Sequence, residues 1–293
     1  MATVAEWVAG ARPRTLPAAL APVAVGTGAA HALGESDLGL ALLALIVAVA
    51  LQVGVNYAND YSDGVRGTDA TRVGPMRLVG SGAADPALVK AAAFLSFGTA
   101  AVTGLALVAL SNAWLLLLVG ALAILAAWRY TGGARPYGYR GLGELAVFVF
   151  FGLVAVLGTQ WTQAGALSLA GVAGAVGVGA FACAILMANN LRDIPGDREV
   201  GKRTLAVQLG DTRTRTSYLA LVVLAYAMVP VAALGSGSGW ALLALLAAPT
   251  AWPAVRTVRS RATGADLVPV LGGTGLAQLA YAALLTLGLV LST

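Results

Sequence analysis

Nine apolar stretches of about membrane-spanning length leave this 293-residue chain little room for anything else. They fall at about 15 to 32, 38 to 58, 88 to 110, 113 to 129, 142 to 160, 165 to 188, 216 to 234, 239 to 255 and 267 to 291. A helix needs about 20 apolar residues to cross a bilayer, so nine crossings use about 180 residues. The pattern predicts an all-α, polytopic membrane protein, with about nine helices in one bundle and a single domain over residues 1–293. With 59% hydrophobic and 11% charged residues, a water-soluble globule is excluded. One cysteine, Cys183, excludes an internal disulfide and a cysteine-based metal site, and one histidine, His31, excludes a histidine-rich one. The first stretch carries Pro13, Pro17 and Pro22 at or near its start and Ala30-His31-Ala32 near its end. A broken or tilted span is expected there, with a cleavable leader as the alternative. Gly171, Gly174, Gly177 and Gly179 predict a face for close helix packing rather than a phosphate loop.

All 18 lysines and arginines fall in alternate connections. Arg12 and Arg14 precede the first stretch; Arg66, Arg72, Arg77 and Lys90 lie between the second and third. Arg129, Arg135 and Arg140 follow the fourth. Arg192, Arg198, Lys202, Arg203, Arg213 and Arg215 follow the sixth, and Arg256, Arg259 and Arg261 the eighth. The opposite connections carry only Glu35 and Asp37. The positive-inside rule then puts the N-terminus in the cytoplasm and, after nine crossings, Thr293 outside. The same segregation accounts for the pI near 9.7 without a nucleic-acid partner.

Two cytoplasmic connections are long, at about 60 to 87 and 190 to 215, and the acids gather there. Aligning Asn59 with Asn189 superposes Ala-Asn59-Asp60-Tyr-Ser-Asp63 on Ala-Asn189-Asn190-Leu-Arg192-Asp193, a weak internal repeat. Residues four apart share a helix face, so Asn59 and Asp63 point together, as do Asn189, Asp193 and Asp197, unless Pro195 and Gly196 interrupt the second helix. Hard oxygen ligands without histidine or cysteine select magnesium, manganese or calcium, and magnesium usually takes phosphate oxygens as further ligands. Neighbouring Arg66, Arg72, Arg198, Lys202 and Arg203 supply the cations that a metal-bridged polyphosphate needs. An apolar bundle beneath such a head-group site fits an isoprenoid diphosphate, whose ionisation leaves an allylic cation that must be kept from water.

These residues carry a resemblance. Ala-Arg12-Pro-Arg14-Thr-Leu-Pro, Asn-Asp60-Tyr-Ser-Asp63-Gly-x-Arg66-Gly-Thr-Asp69, Arg72-x-Gly-Pro-x-Arg77, Tyr130-Thr-Gly-Gly, Gly141-Leu-Gly-Glu144 and Asn-Asn-Leu-Arg192-Asp193-Ile-x-x-Asp197 resemble the UbiA superfamily of intramembrane aromatic prenyltransferases. The spacing from Asp63 to Asp69 and the Gly-Leu-Gly-Glu segment are most similar to the branch that prenylates 1,4-dihydroxy-2-naphthoate.

The resemblance implies a bacterial cell membrane and two substrates, a polyprenyl diphosphate and 1,4-dihydroxy-2-naphthoate, coupled with loss of carbon dioxide. It implies Asn59, Asp63, Asp69, Asn189, Asp193 and Asp197 as ligands of Mg2+, or of Mn2+ in its place, the four aspartates being the catalytic set. It implies Asp60, Arg66, Arg72, Asn190, Arg198 and Lys202 as diphosphate partners, and Tyr130, Arg135, and Tyr137 or Glu144 near the naphthoate. From a different class, a secondary transporter also predicts pseudo-repeats and acids, but near the bilayer midplane rather than at one end.

Overall fold

The computed structural model describes residues 2–68 and 76–293, and it is helical throughout, with no strand among them. In chain order the helices are α1 (Val4–Ala11), α2 (Pro17–His31), α3 (Leu38–Val65), α4 (Pro86–Ser111) and α5 (Leu116–Arg129). They continue as α6 (Gly143–Ala164), α7 (Leu169–Glu199), α8 (Leu205–Ser236), α9 (Gly239–Arg259) and α10 (Gly264–Val290). Seven of these, α3, α4 and α6 to α10, are long and apolar enough to cross a membrane. The stretches at 15 to 32 and 113 to 129 also form helices, but of only 15 and 14 residues. Many exposed leucines, among them Leu42, Leu95, Leu118, Leu234 and Leu246, point outward, as helices in lipid require.

The main core gathers α2 and α6 to α10, and a smaller one gathers α1, α3 and α4 around Tyr57, Leu78 and Phe97. α7 is the hub. A Cβ on Gly171 would lie 1.9 Å from the Gln160 side chain, on Gly174 2.5 Å from Val25, and on Gly177 2.1 Å from the Tyr281 hydroxyl. The glycines thus admit α6, α2 and α10 in turn, the close approach that small residues permit where lipid supplies no hydrophobic drive between helices. α2 is embedded in this core, with Ala21, Val25, Ala29 and Ala30 fully buried.

Two sequence expectations change. The connection expected at 190 to 215 is mostly helix: α7 runs to Glu199 and α8 begins at Leu205. Pro195 sits inside α7 without breaking it. Packed helices can re-satisfy the carbonyl that a proline frees, so the acids of the second motif ride on a continuous helix end. In the first motif, α3 likewise carries Asn59, Asp60 and Asp63 within its last two turns. Within α6, Phe148–Val154 forms a π-helical turn, a widening common at functional sites.

Candidate active site

A cavity of about 570 Å³ opens between α2, α3, α4, α5, α6 and α7. Its walls are apolar: Leu51, Leu105, Leu117, Ile124 and, from the π-helical turn, Phe150, Phe151 and Val154. Its polar residues are concentrated at one end. There α3 presents Asn59 and Asp63, and α7 presents Asn189, Asn190, Asp193 and Asp197. Because α7 is unbroken, Asn189, Asp193 and Asp197 follow one another at successive turns on the face that lines the cavity.

The segment between α5 and α6 straps this end. Thr131 Oγ1 donates to Asn59 Oδ1 at 2.7 Å, and the Tyr139 hydroxyl donates to Asp63 Oδ1. Arg66 anchors the strap by donating to the carbonyls of Thr131 and Gly133. At its other edge the Arg203 amide donates to Tyr139 O at 2.9 Å, and Gln208 Nε2 donates to Arg203 O and Arg140 O. Gly141 leaves the room for that amide: its φ is 79°, and a Cβ there would lie 2.4 Å from Gln208 Nε2.

Cations reach the acids from both sequence motifs. Lys202 Nζ lies 3.4 Å from Asp63 Oδ1 and 4.6 Å from the centre of the Tyr139 ring. Arg77 lies 3.8 Å from Asp63 Oδ2. Arg192, almost wholly buried, makes a two-pronged pair with Asp193 at 2.6 and 2.7 Å and donates to Asn189 Oδ1 at 2.8 Å. Burial first, and then the charge of Asp63, raise the Tyr139 phenol above its ordinary value, so it stays protonated and a donor. Burial likewise pushes Tyr137 up to about 12. Tyr130 and Tyr137 meet edge to face, with ring centres 5.5 Å apart, and both line the cavity.

The structure separates other residues of the sequence reading. Asp60 does not reach the cavity. It is fully buried, and its two carboxylate oxygens accept from the amides of Leu78 and Val79 at 2.8 and 2.9 Å, which corrects the expectation of a diphosphate contact. Arg66 holds the strap, Arg198 is exposed away from the cavity, and Arg135 lines a second, smaller pocket. Glu144 lies behind the wall and accepts from Asn190 Nδ2 at 2.9 Å. Asp69 and Arg72 lie outside the described residues. The sequence reading overlooked Arg12, Arg77, Thr131 and Tyr139, which line the cavity. Arg12, Arg77 and Thr131 sit in motifs already noticed, whereas Tyr139 gave no signal.

Among the described residues, no three acids or histidines lie close enough to hold a metal between them. The donors around the mouth are nonetheless all carboxylate or carboxamide oxygens on two opposed helix ends. That set fits a hydrated magnesium that completes its shell with phosphate oxygens, rather than an all-protein cage.

An apolar chamber capped by paired Asn and Asp motifs defines an intramembrane prenyltransferase, and the chain belongs to the UbiA prenyltransferase family, whose model matches residues 19–271. The 1,4-dihydroxy-2-naphthoate octaprenyltransferase of Mycobacterium tuberculosis is 57% identical to it over 282 residues, 96% of each chain. The enzyme of the same name from Escherichia coli is 40% identical, covering 98% of this chain and 95% of its own. A UbiA homolog from Archaeoglobus fulgidus, solved bound to GPP and Mg2+, shares the fold with a TM-score of 0.71 at 15% identity, covering 97% of this chain and 99% of its own.

Proposed function

We propose that this protein transfers a polyprenyl group from a polyprenyl diphosphate to 1,4-dihydroxy-2-naphthoate, with loss of carbon dioxide and diphosphate, to give demethylmenaquinone. The observation that carries this is one cavity, shared by both motifs, whose apolar walls run up to the acids at one end. The acceptor is supported by the shared name of the 57% and 40% identical relatives. The acids at one end, rather than at the midplane, weigh against a transporter.

Asn59, Asp63, Asn189, Asp193 and Asp197 would hold Mg2+, which when bound neutralises the departing diphosphate as a Lewis acid. Lys202 and Arg77 hold Asp63 in place and offer donors to phosphate oxygens left over. Tyr139 donates to Asp63 Oδ1, the oxygen that Lys202 also meets, and so fixes that carboxylate from the strap. Phe150, Phe151 and Val154 shield the prenyl chain, and the faces of Tyr130 and Tyr137 flank the place where an allylic cation forms. Residues 1–293 act as one transmembrane domain, in which α2 and α5 also cross although each spans only about 22 Å. The N-terminus and the acid-bearing mouth face the cytoplasm, and Thr293 lies outside.

Purified protein given Mg2+, a polyprenyl diphosphate and 1,4-dihydroxy-2-naphthoate should yield demethylmenaquinone by mass. Product with 4-hydroxybenzoate or homogentisate, and none with the naphthoate, would replace the acceptor. No product with any acceptor would remove the transferase reading.

A further inference from the structure

Behind the strap lies a second pocket of about 540 Å³ that the reaction above does not use. It is lined by Arg135, Arg140, Arg203, Tyr139, Gly201 and Gln208, with Pro136 at its side, and none of the described acids contributes to it. The three arginines are exposed at its rim. Among the described residues none of them makes an ion pair, although Asp63, Asp193 and Asp211 elsewhere each hold a cation. The pocket floor is pinned, because Gln208 Nε2 ties Arg140 O to Arg203 O and the Arg203 amide holds Tyr139 O. The wall towards the main cavity is thin. Lys202 and Thr204 face the cavity, Gly201 and Arg203 face the pocket, and Tyr139 lines both.

We infer that this pocket is an anion site for a phosphate group, distinct from the acid-lined mouth. Three guanidinium groups around one depression exceed what a lone carboxylate recruits, and their planar forks match phosphate oxygens in pairs. Two sources share that chemistry: an anionic phospholipid head group at the cytoplasmic surface, or free diphosphate. The site does not depend on which acceptor the main cavity takes, so its failure and that of the transferase reading are separate results.

The test uses the full chain with two probes and no prenyl substrate. Inorganic diphosphate is titrated in EDTA, which removes metal-assisted binding at the mouth, and phosphatidylglycerol retention is read by native mass spectrometry from phosphatidylcholine nanodiscs doped with it. The Arg140→Gln/Arg203→Gln variant changes two exposed side chains, and an unchanged melting temperature checks its fold. Wild-type diphosphate binding that weakens by about tenfold or more in this variant, yet survives Lys202→Gln, supports the site with a free anion as occupant. Phosphatidylglycerol held by the wild type and lost by the variant supports it with a lipid. Partial recovery in Arg140→Lys/Arg203→Lys supports it further. The inference is overturned if Lys202→Gln abolishes binding while the arginine variant keeps it, if wild type and arginine variant hold both probes equally, or if the wild type holds neither.

Discussion

The two acid-bearing helix ends look alike in sequence and are held in different ways. At the end of α3 the partners come from far along the chain: Asp60 clamps amides 18 and 19 residues away, Asn59 is met by Thr131, and Asp63 is met by Tyr139, Lys202 and Arg77. At the end of α7 much of the holding starts on the helix itself, with Arg192 gripping Asn189 and Asp193, while Asn190 reaches Glu144 across 46 residues and Thr204 donates to Asp197. The first end is therefore positioned by residues drawn from several separate elements, whereas the second takes a good part of its support from its own helix. The two ends are alike in sequence but are not supported alike.

The largest effects should be common to both ends. Asp63→Asn and Asp193→Asn are each expected to lower kcat by about 10²-fold or more, since each removes charge from the place where charge develops. Steady-state turnover with saturating Mg2+ measures this; retained activity in either variant would remove that end from the chemistry. EDTA should abolish turnover in the wild type and added Mg2+ restore it. The next effects separate the ends. Asp60→Ala should destabilise the fold by about 3 kcal/mol, because two buried amides lose a charged acceptor, while the folded fraction keeps its kcat. Arg192→Met should disturb only the second end, raising KM for the diphosphate with a smaller loss of stability than Asp60→Ala. If the Asp60 variant loses kcat at full stability, the division between scaffold and site fails.

The smallest effects test the strap. Tyr139→Phe should cost about tenfold in kcat, and Thr131→Val less, each by loss of one hydrogen bond to the first motif. Burial and the charge of Asp63 raise the Tyr139 phenol, so the donor persists through the neutral range. The ratio of wild-type to Tyr139→Phe activity should then stay flat from neutral pH up to about pH 10, where an ordinary phenol ionises. A ratio that collapses near neutrality would show that Tyr139 had already given up its proton.

Helix positions, the glycine face of α7 and the two acid motifs were legible because each rests on local pattern: apolar length, small-residue spacing, and carboxylates four apart. What was not legible depends on partners distant in the chain. Nothing near Asp60 signals that its carboxylate will turn to Leu78 and Val79, and Tyr139 joins Asp63 across 76 residues. Pro195 and Gly196 look like a break, and only helices packed around α7 let it pass through them. Arg135 is basic and only two residues before Tyr137, yet the turn of the strap sends it to the other pocket.

The four residues from Gly201 to Thr204 alternate between two chambers, Lys202 and Thr204 facing one and Gly201 and Arg203 the other. Their count is consequently a constraint as strict as their identity. Adding or deleting a single residue in this partition would carry an arginine into the chamber with the acids and turn the lysine out, with the chain's composition almost unchanged. Length variation that loops elsewhere on a membrane protein tolerate should be lethal to turnover here.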